Sequence, residues 1–187
     1  MKYQKTVDQI MLGNLTRADL QTMRERAQVK LNDGDEEARL VLQALDCAVA
    51  KDSGIIFMGF CPNGELANRL DDQWKERGIC TFDYDDSVDQ MNLFRSICTG
   101  DLIVLKKGEE FGRTMSLHGH GRVTGTNTGS DGRRYLELNW SPAGKFTSDV
   151  PMMGCQSTVN LRDMESVEDA MPYEFFDWAY LPRAATR

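Results

Sequence analysis

The strongest fold signal in this chain comes from three segments, TGDLIVLKK at residues 99–107, GHGRVTG at 119–125 and RYLELNW at 134–140. The first segment begins with a glycine–aspartate turn, continues as an apolar run and ends in two lysines, which is typical of a buried strand. The second places a short strand between glycines, and the third alternates apolar and polar residues. Three strands so close together predict the wall of a small, strongly bent β-barrel.

The residues before these segments predict helices first and then strands alternating with helices. Residues 1–52 read as two or three helices, one of which starts at Thr16 with Asp19 as its capping-box partner. The apolar run at 54–60 predicts a buried strand, and apolar residues spaced four apart predict a helix over 65–77. A strand over 79–82 and a helix from Ser87 follow.

The residues after the three segments predict one edge strand, one last strand and one closing helix, at 146–150, 157–161 and 172–179. The fold class is therefore α+β, a small bent β-barrel with flanking helices and an N-terminal helical extension. The boundary is expected near residues 51–54, which gives an extension over 1–52 and a barrel domain over 54–180.

Composition and charge indicate a soluble protein of the cytoplasm. The chain has 187 residues, of which 41% are hydrophobic and 27% charged, values that are ordinary for globular domains. No apolar run approaches the roughly 20 residues of a membrane span, and the first residues lead into no signal-peptide core. The five cysteines lack metal-binding spacing and are expected to be free thiols.

The charge of the chain is unevenly distributed. The formal net charge is −7, which argues against a protein that binds duplex DNA without sequence preference. Residues 101–145 nevertheless contain seven basic and five acidic side chains. A small basic face on an acidic body favours a discriminating pocket over a long nucleic-acid groove.

Enzyme motifs are absent from the sequence. There is no P-loop, dinucleotide fingerprint or nucleophile elbow, and neither histidine lies beside a cysteine in the chain. His118 and His120 are spaced to lie on one face of a strand, but a metal site needs a third ligand that the sequence does not place. We therefore expect no catalytic residue, no metal site and no cofactor, and a non-enzyme is favoured.

The order of the motifs resembles the PUA-like superfamily, especially its EVE, YTH and ASCH branches and the reader domains of modification-dependent restriction systems. The resemblance rests on the turn and strand Gly100–Val104, the glycine-flanked strand Gly119–Gly125 and the strand Arg134–Trp140. It covers residues 54–178. The first strand departs from the EVE pattern, because it ends in Met58-Gly59-Phe60 where those domains have a Lys-Ser pair.

The resemblance implies an aromatic pocket that holds an extruded or modified base, since stacking on an aromatic ring contributes about 1–3 kcal/mol per base. The residues it assigns to the pocket are Gly59, Phe60, Phe82 and Trp140, and those it assigns to phosphate contacts are Lys106, Lys107, Arg113 and Arg122. Core packing is the alternative for the aromatic residues, and a solvated face is the alternative for the basic ones.

Two functional hypotheses follow. The first is a non-catalytic module that binds a nucleotide or nucleic acid, such as DNA or RNA with a modified base. The second is a structural or regulatory protein that binds a protein partner, or forms a homodimer, through its N-terminal helices and acidic surface.

Overall fold

The computed structural model describes residues 2–46, 48, 54–62, 65–82 and 87–180. The chain is an α+β protein with helices at its N-terminus and a mixed sheet of seven strands. Residues 51–53 of the predicted domain boundary at 51–54 lie outside the described residues. The seven helices are α1 (Gln4–Met11), α2 (Arg17–Asn32), α3 (Ala38–Asp46), α4 (Asp71–Arg77), α5 (Val88–Arg95), α6 (Met164–Ala170) and α7 (Tyr173–Tyr180).

The strands form one sheet in the order β2-β5-β4-β3-β1-β7, with β6 paired to β4 beside this path. The strands are β1 (Ile55–Gly59), β2 (Ile79–Thr81), β3 (Leu102–Glu109), β4 (Thr114–Thr128), β5 (Arg134–Trp140), β6 (Val150–Pro151) and β7 (Val159–Arg162). The pair β1 and β3 is parallel, and β1 with β7, β2 with β5 and β3 with β4 are antiparallel.

The prediction of a closed β-barrel is wrong, because the sheet is open. Its pairing path ends at β2 on one side and at β7 on the other. Closure would require these two edges to pair, and β2 has only three residues, all of them paired with β5. The α+β class and the N-terminal helices are confirmed.

Two compact units can be distinguished in the chain. The first contains Met1–Ser53, Ile79–Asp101 and Val123–Leu138, and the second contains Gly54–Gly78, Leu102–Arg122 and Asn139–Arg187. This division runs through β4 and β5, and it differs from the linear division into 1–52 and 54–180 expected from the sequence.

The core of the first unit is built by the N-terminal helices. Thr16 caps α2 through a capping box with Asp19, as predicted. Apolar residues at helical spacing, among them Leu20, Val41 and Leu45, are buried together. Thr126 donates to the Asp46 carboxylate at 3.0 Å, which adds a polar contact at the C-terminal end of α3.

Two arginines hold the first unit together through buried contacts. Arg17 at the start of α2 makes a bidentate ion pair with Asp101, at 2.6 and 2.7 Å, and the Asp101 side chain has no solvent exposure. Arg134 donates to the carbonyls of Phe94, Arg95 and Ile97 at the C-terminal end of α5, where a cation is favoured by the helix dipole. Burial lowers the pKa of Arg134 to about 10.

The core of the second unit lies between β1, β3 and β4 and the C-terminal helices. Phe57, Val104 and Leu117 are fully buried against Phe175 and Trp178 of α7. The helix predicted at 172–179 is thus confirmed, and its aromatic residues form the largest part of this core. Helix α6 was not predicted, although Asp163 caps it by accepting from the Ser166 backbone amide at 2.8 Å.

The predicted helix over 65–77 is shorter in the structure. Leu66 belongs to a separate 3₁₀ turn and is 55% exposed, whereas Trp74 is buried in α4. Gly78 ends α4 in the left-handed conformation, as expected for a C-cap. No helix among the described residues is long and apolar enough to cross a membrane.

Candidate functional site

The candidate site lies in the second unit, at the carboxyl ends of the parallel strands β1 and β3. In open sheets with parallel strands, ligands bind preferentially at this edge. Gly59 pairs with Lys106, so Phe60 follows β1 where Lys107 and Glu109 continue β3. Strand β4 returns antiparallel and places Ser116 opposite Lys107.

A β-bulge in β4 sets the direction of His118. Leu105 pairs with Gly119 and Lys106 with Leu117, so His118 is the extra residue between them. Leu117 and His120 lie on the face of the sheet that packs on α7, and His118 lies on the opposite face. The two histidines are therefore not neighbours on one face as expected, and no group of three metal-ligating side chains exists among the described residues.

His118 ends a chain of hydrogen bonds that begins at Lys107. The Lys107 ammonium donates to Glu109 Oε1 at 2.7 Å, Ser116 Oγ donates to the same oxygen at 2.9 Å, and Ser116 Oγ lies 3.0 Å from His118 Nε2. The hydrogen bond from Lys107 holds the pKa of Glu109 below its usual value. Glu109 is therefore an ionised acceptor at neutral pH.

This network fixes the tautomer of His118. A carboxylate only accepts hydrogen bonds, so the single hydroxyl proton of Ser116 points at Glu109. Ser116 Oγ must then accept from His118, which places the imidazole proton on Nε2 and leaves Nδ1 as an acceptor. Burial and the nearby charge of Lys145 lower the pKa of His118, so the ring is neutral at pH 7.

Aromatic and cationic groups surround the imidazole. The Phe60 ring centroid lies 4.7 Å from that of His118, and the Arg69 guanidinium lies 5.6 Å from the Phe60 centroid. Phe60 itself has no exposed surface. The surfaces open to a flat ligand are therefore those of the half-buried His118 ring and the Arg69 guanidinium, which is also a stacking surface for bases.

The Asp71 carboxylate binds the two cations Arg69 and Lys75. Its buried carboxylate accepts from Arg69 at 2.7 and 2.6 Å and from Lys75 at 3.5 Å. Burial alone would raise the pKa of Asp71, but the contacts with Arg69 and Lys75 outweigh it and the pKa is lowered. Lys75 also donates to the His118 carbonyl at 2.8 Å, which fixes the backbone at the bulge.

The site is more basic than the chain as a whole. Its charged side chains are Arg69, Lys75, Lys107 and Lys145 with the carboxylates Asp71, Asp72, Glu109 and Glu110. Four cations and four carboxylates balance one another, in a chain whose net charge is −7.

A depression of about 500 Å³ adjoins the network and shares Glu109 with it. Glu110, Gln156 and Met152 also line it. This volume falls within the range of small-molecule sites. Of the network residues, only Glu109 lines this depression, and His118 does not.

The network contains no activated nucleophile. Ser116 is 1% exposed, and its hydroxyl serves the Glu109–His118 link. Burial raises the pKa of the half-buried Cys61 thiol, so this group stays protonated at neutral pH. The buried Ser116 hydroxyl is therefore not placed to attack a substrate.

Of the residues predicted to bind a ligand, Gly59, Phe60 and Lys107 belong to this site. Lys106 points to the other face, where its buried ammonium donates to the Ser157 carbonyl at 2.8 Å, and burial lowers its pKa to about 8. The half-buried Trp140 packs beside Gly121, where an added Cβ would come within 2.8 Å of the ring. Its indole N–H donates to the Trp74 carbonyl at 3.0 Å.

The remaining predicted residues lie apart from the network. Arg122 is exposed and stacks over Tyr180 at 5.1 Å, and Arg113 is exposed at the start of β4. Phe82 belongs to the first unit, where its ring stacks on Phe94 at 5.5 Å. A direct role of these residues in ligand binding stays a prediction.

Several site residues were not identified from the sequence, namely Glu109, Ser116, Arg69, Asp71 and Lys75. The four-residue spacing of Asp71 and Lys75 on a predicted helix was an available signal for one ion pair. Ser116 and His118 are two residues apart and would share a face of a regular strand, so their spacing was an available signal for this contact.

Comparison with known proteins identifies no relative, since no family model, curated protein or solved structure matches the chain.

Proposed function

We propose that the protein is a non-catalytic binding module for a nucleotide-like ligand, which it holds at the His118 site. The observation that carries this proposal is the neutral imidazole with its fixed Nδ1 acceptor, close to the exposed cation Lys145. A nucleotide matches both features, because its base carries N–H donors for the Nδ1 acceptor and its phosphate carries negative charge for the cation.

The charge distribution supports a small ligand over a long nucleic acid. A protein that neutralises many phosphates needs an extended basic surface. Here four cations and four carboxylates balance around one histidine, which suits a ligand with one or two phosphates better than a polymer. Lys145 is exposed and influences both His118 and Glu109, so it is the cation best placed to meet a phosphate.

The recognition of the base is assigned to His118 and Arg69. Because Phe60 is fully covered, its ring supports the imidazole from below and is not itself a stacking surface. His118 Nδ1 accepts from an amino or imino group of the base, and the Glu109 side of the depression offers further acceptors. A ligand without an N–H donor is therefore expected to bind less well.

A modified base in DNA or RNA is part of the same proposal, as is a distant relation to the PUA-like superfamily. The order of β1, α4, β2, α5 and the Gly100-Asp101 turn before β3 supports the relation. The open sheet distinguishes this chain from the barrels of that superfamily.

The test is a calorimetric titration at low salt with the four nucleoside monophosphates and with short oligonucleotides bearing plain or methylated cytosine. Lys145→Ala should weaken phosphate-dependent binding about two- to fivefold, and Lys5→Ala, at an exposed lysine of α1, should not. His118→Phe keeps a ring over Phe60 and removes the acceptor, so it should reduce discrimination between bases. Absence of binding by every ligand, or equal binding by the parent and both site variants, would contradict the proposal.

The alternative of a protein-interaction protein is favoured by one feature of α1 and its C-cap. Met11 is 62% exposed and Leu12 is 70% exposed, and adjacent apolar side chains of this kind mark contact surfaces. Light scattering on the parent and on Met11→Lys tests it. A dimer that the substitution dissociates would support the alternative, and a monomer in both would count against a homodimer.

A further inference from the structure

The N-terminal helices of the first unit enclose an apolar groove that the nucleotide proposal does not use. Met23 and Ala27 of α2, together with Ala38 and Val41 at α3, form its apolar surface. On α2 the groove follows residues three and four apart, so one stripe of the helix forms a wall. The groove is a continuous apolar surface, with side chains from more than one helix.

The wall of the groove formed by α2 also carries two cations. Arg26 and Lys30 are four residues apart on α2, both line the groove and both are exposed. Within the described ranges neither takes part in an ion pair, whereas the neighbouring Arg24 pairs with Asp46 at 2.8 Å. Among the described residues no carboxylate lines the groove, and Asp35, which accepts from the Tyr3 hydroxyl beside it, is paired with Lys2.

The size of the groove limits the occupant. Its volume is about 280 Å³, roughly twice that of the apolar cavity of about 150 Å³ that holds a benzene molecule. An apolar body of about two fused rings therefore fits. Thr6 and Gln9 of α1 add polar groups to the lining, and Tyr3, which precedes α1, completes it.

We infer that this groove binds a small amphipathic carboxylate, with an apolar body on the Met23–Val41 surface and its negative group at Arg26 and Lys30. Apolar lining with a few polar groups that set orientation is the usual composition of a small-molecule site. The two cations select the ionised acid over a neutral compound of the same shape.

The test is a calorimetric titration of the full-length protein with 2-naphthoate and with the neutral 2-naphthamide, at low salt and at 0.5 M salt. The carboxylate should bind more tightly than the amide, and salt should reduce the difference. Arg26→Ala and Lys30→Ala should each weaken 2-naphthoate about two- to fivefold, and the double variant about tenfold. Lys5→Ala on α1 is the matched control and should change nothing.

A second variant separates the groove from general surface charge. Gln9 is exposed and lines the groove, so Gln9→Trp fills it without altering a buried contact. It should abolish 2-naphthoate binding with the far-UV circular dichroism unchanged. Equal binding of the acid and the amide, binding that survives Gln9→Trp, or binding only of an acidic amphipathic peptide would each overturn the inference.

Discussion

Arg17 and Asp101 form a buried ion pair, and we expect Arg17→Met to destabilise the protein strongly. Arg17 makes two hydrogen bonds to the carboxylate and a third to the Ser96 carbonyl at 2.7 Å. The Asp101 side chain is fully buried. Methionine has a long apolar side chain like the stem of arginine but no hydrogen-bond donor. The substitution therefore removes the positive charge that compensates Asp101 and keeps most of the packed side-chain volume.

The magnitude follows from the charge that remains. Removing one partner of a buried pair costs about 3–5 kcal/mol, because a carboxylate is left without its counter-charge. Small proteins have a free energy of unfolding of about 5–15 kcal/mol, so this loss is a large fraction of the total. Adding Asp101→Asn to Arg17→Met removes the uncompensated charge, so the double variant should regain part of the lost free energy of unfolding. The amide oxygen can still accept from the Cys98 backbone amide, which lies 2.8 Å from the carboxylate.

Urea unfolding followed by circular dichroism measures both effects. The matched control is Arg26→Met on the same helix, an exposed arginine that should change the free energy of unfolding by no more than about 0.5 kcal/mol. The reasoning is refuted if Arg17→Met costs no more than Arg26→Met, or if the double variant is less stable than Arg17→Met alone.

Three further predictions concern the second unit. Lys106→Met should raise the free energy of unfolding at pH 7 by up to about 3 kcal/mol, because burial lowers the pKa of Lys106 to about 8 from 10.5. Between about pH 8 and 10.5 the unfolded parent protein binds more protons at Lys106 than the folded one, so its stability rises with pH. The urea midpoint of the parent should therefore increase from about pH 8 to 10.5, and the midpoint of the variant should change less over the same range. Gly121→Ala should destabilise by about 1–3 kcal/mol and change the fluorescence of Trp140, since the added Cβ would lie 2.8 Å from that ring. A wild-type melting temperature would contradict the close packing there. Imidazole nitrogen NMR should show His118 as the Nε2–H tautomer with a pKa below 6.5, and Lys145→Ala should raise that pKa; a Nδ1–H signal would exclude the proposed network.

Local features of the fold could be predicted from the sequence. The capping box of Thr16 and Asp19, the C-cap at Gly78 and the aromatic helix near the C-terminus depend on residues within one or two turns of each other. These interactions form in nearly any tertiary context. The pattern alone was therefore sufficient for them.

Long-range pairing could not be predicted in the same way. The apolar runs of β1 and β3 indicated strands but not that they pair in parallel, nor that the edges β2 and β7 stay apart and leave the sheet open. The bulge at His118 is a register change of one residue, and it moves that side chain to the opposite face from His120. The sequence indicated Gly59, Phe60 and Lys107 as site residues, but the link from Glu109 to Ser116 depends on the pairing of β3 with β4, which could not be predicted from the pattern.

The central claim is that His118 binds a nucleotide-like ligand through Nδ1. The most direct measurement is the imidazole nitrogen NMR spectrum of His118 during a titration with adenosine monophosphate and cytidine monophosphate at low salt. The account predicts that the Nδ1 signal shifts on binding and saturates with the affinity measured by calorimetry, while the proton stays on Nε2 and is donated to Ser116 Oγ. A saturating titration that leaves the His118 signals unchanged would contradict it.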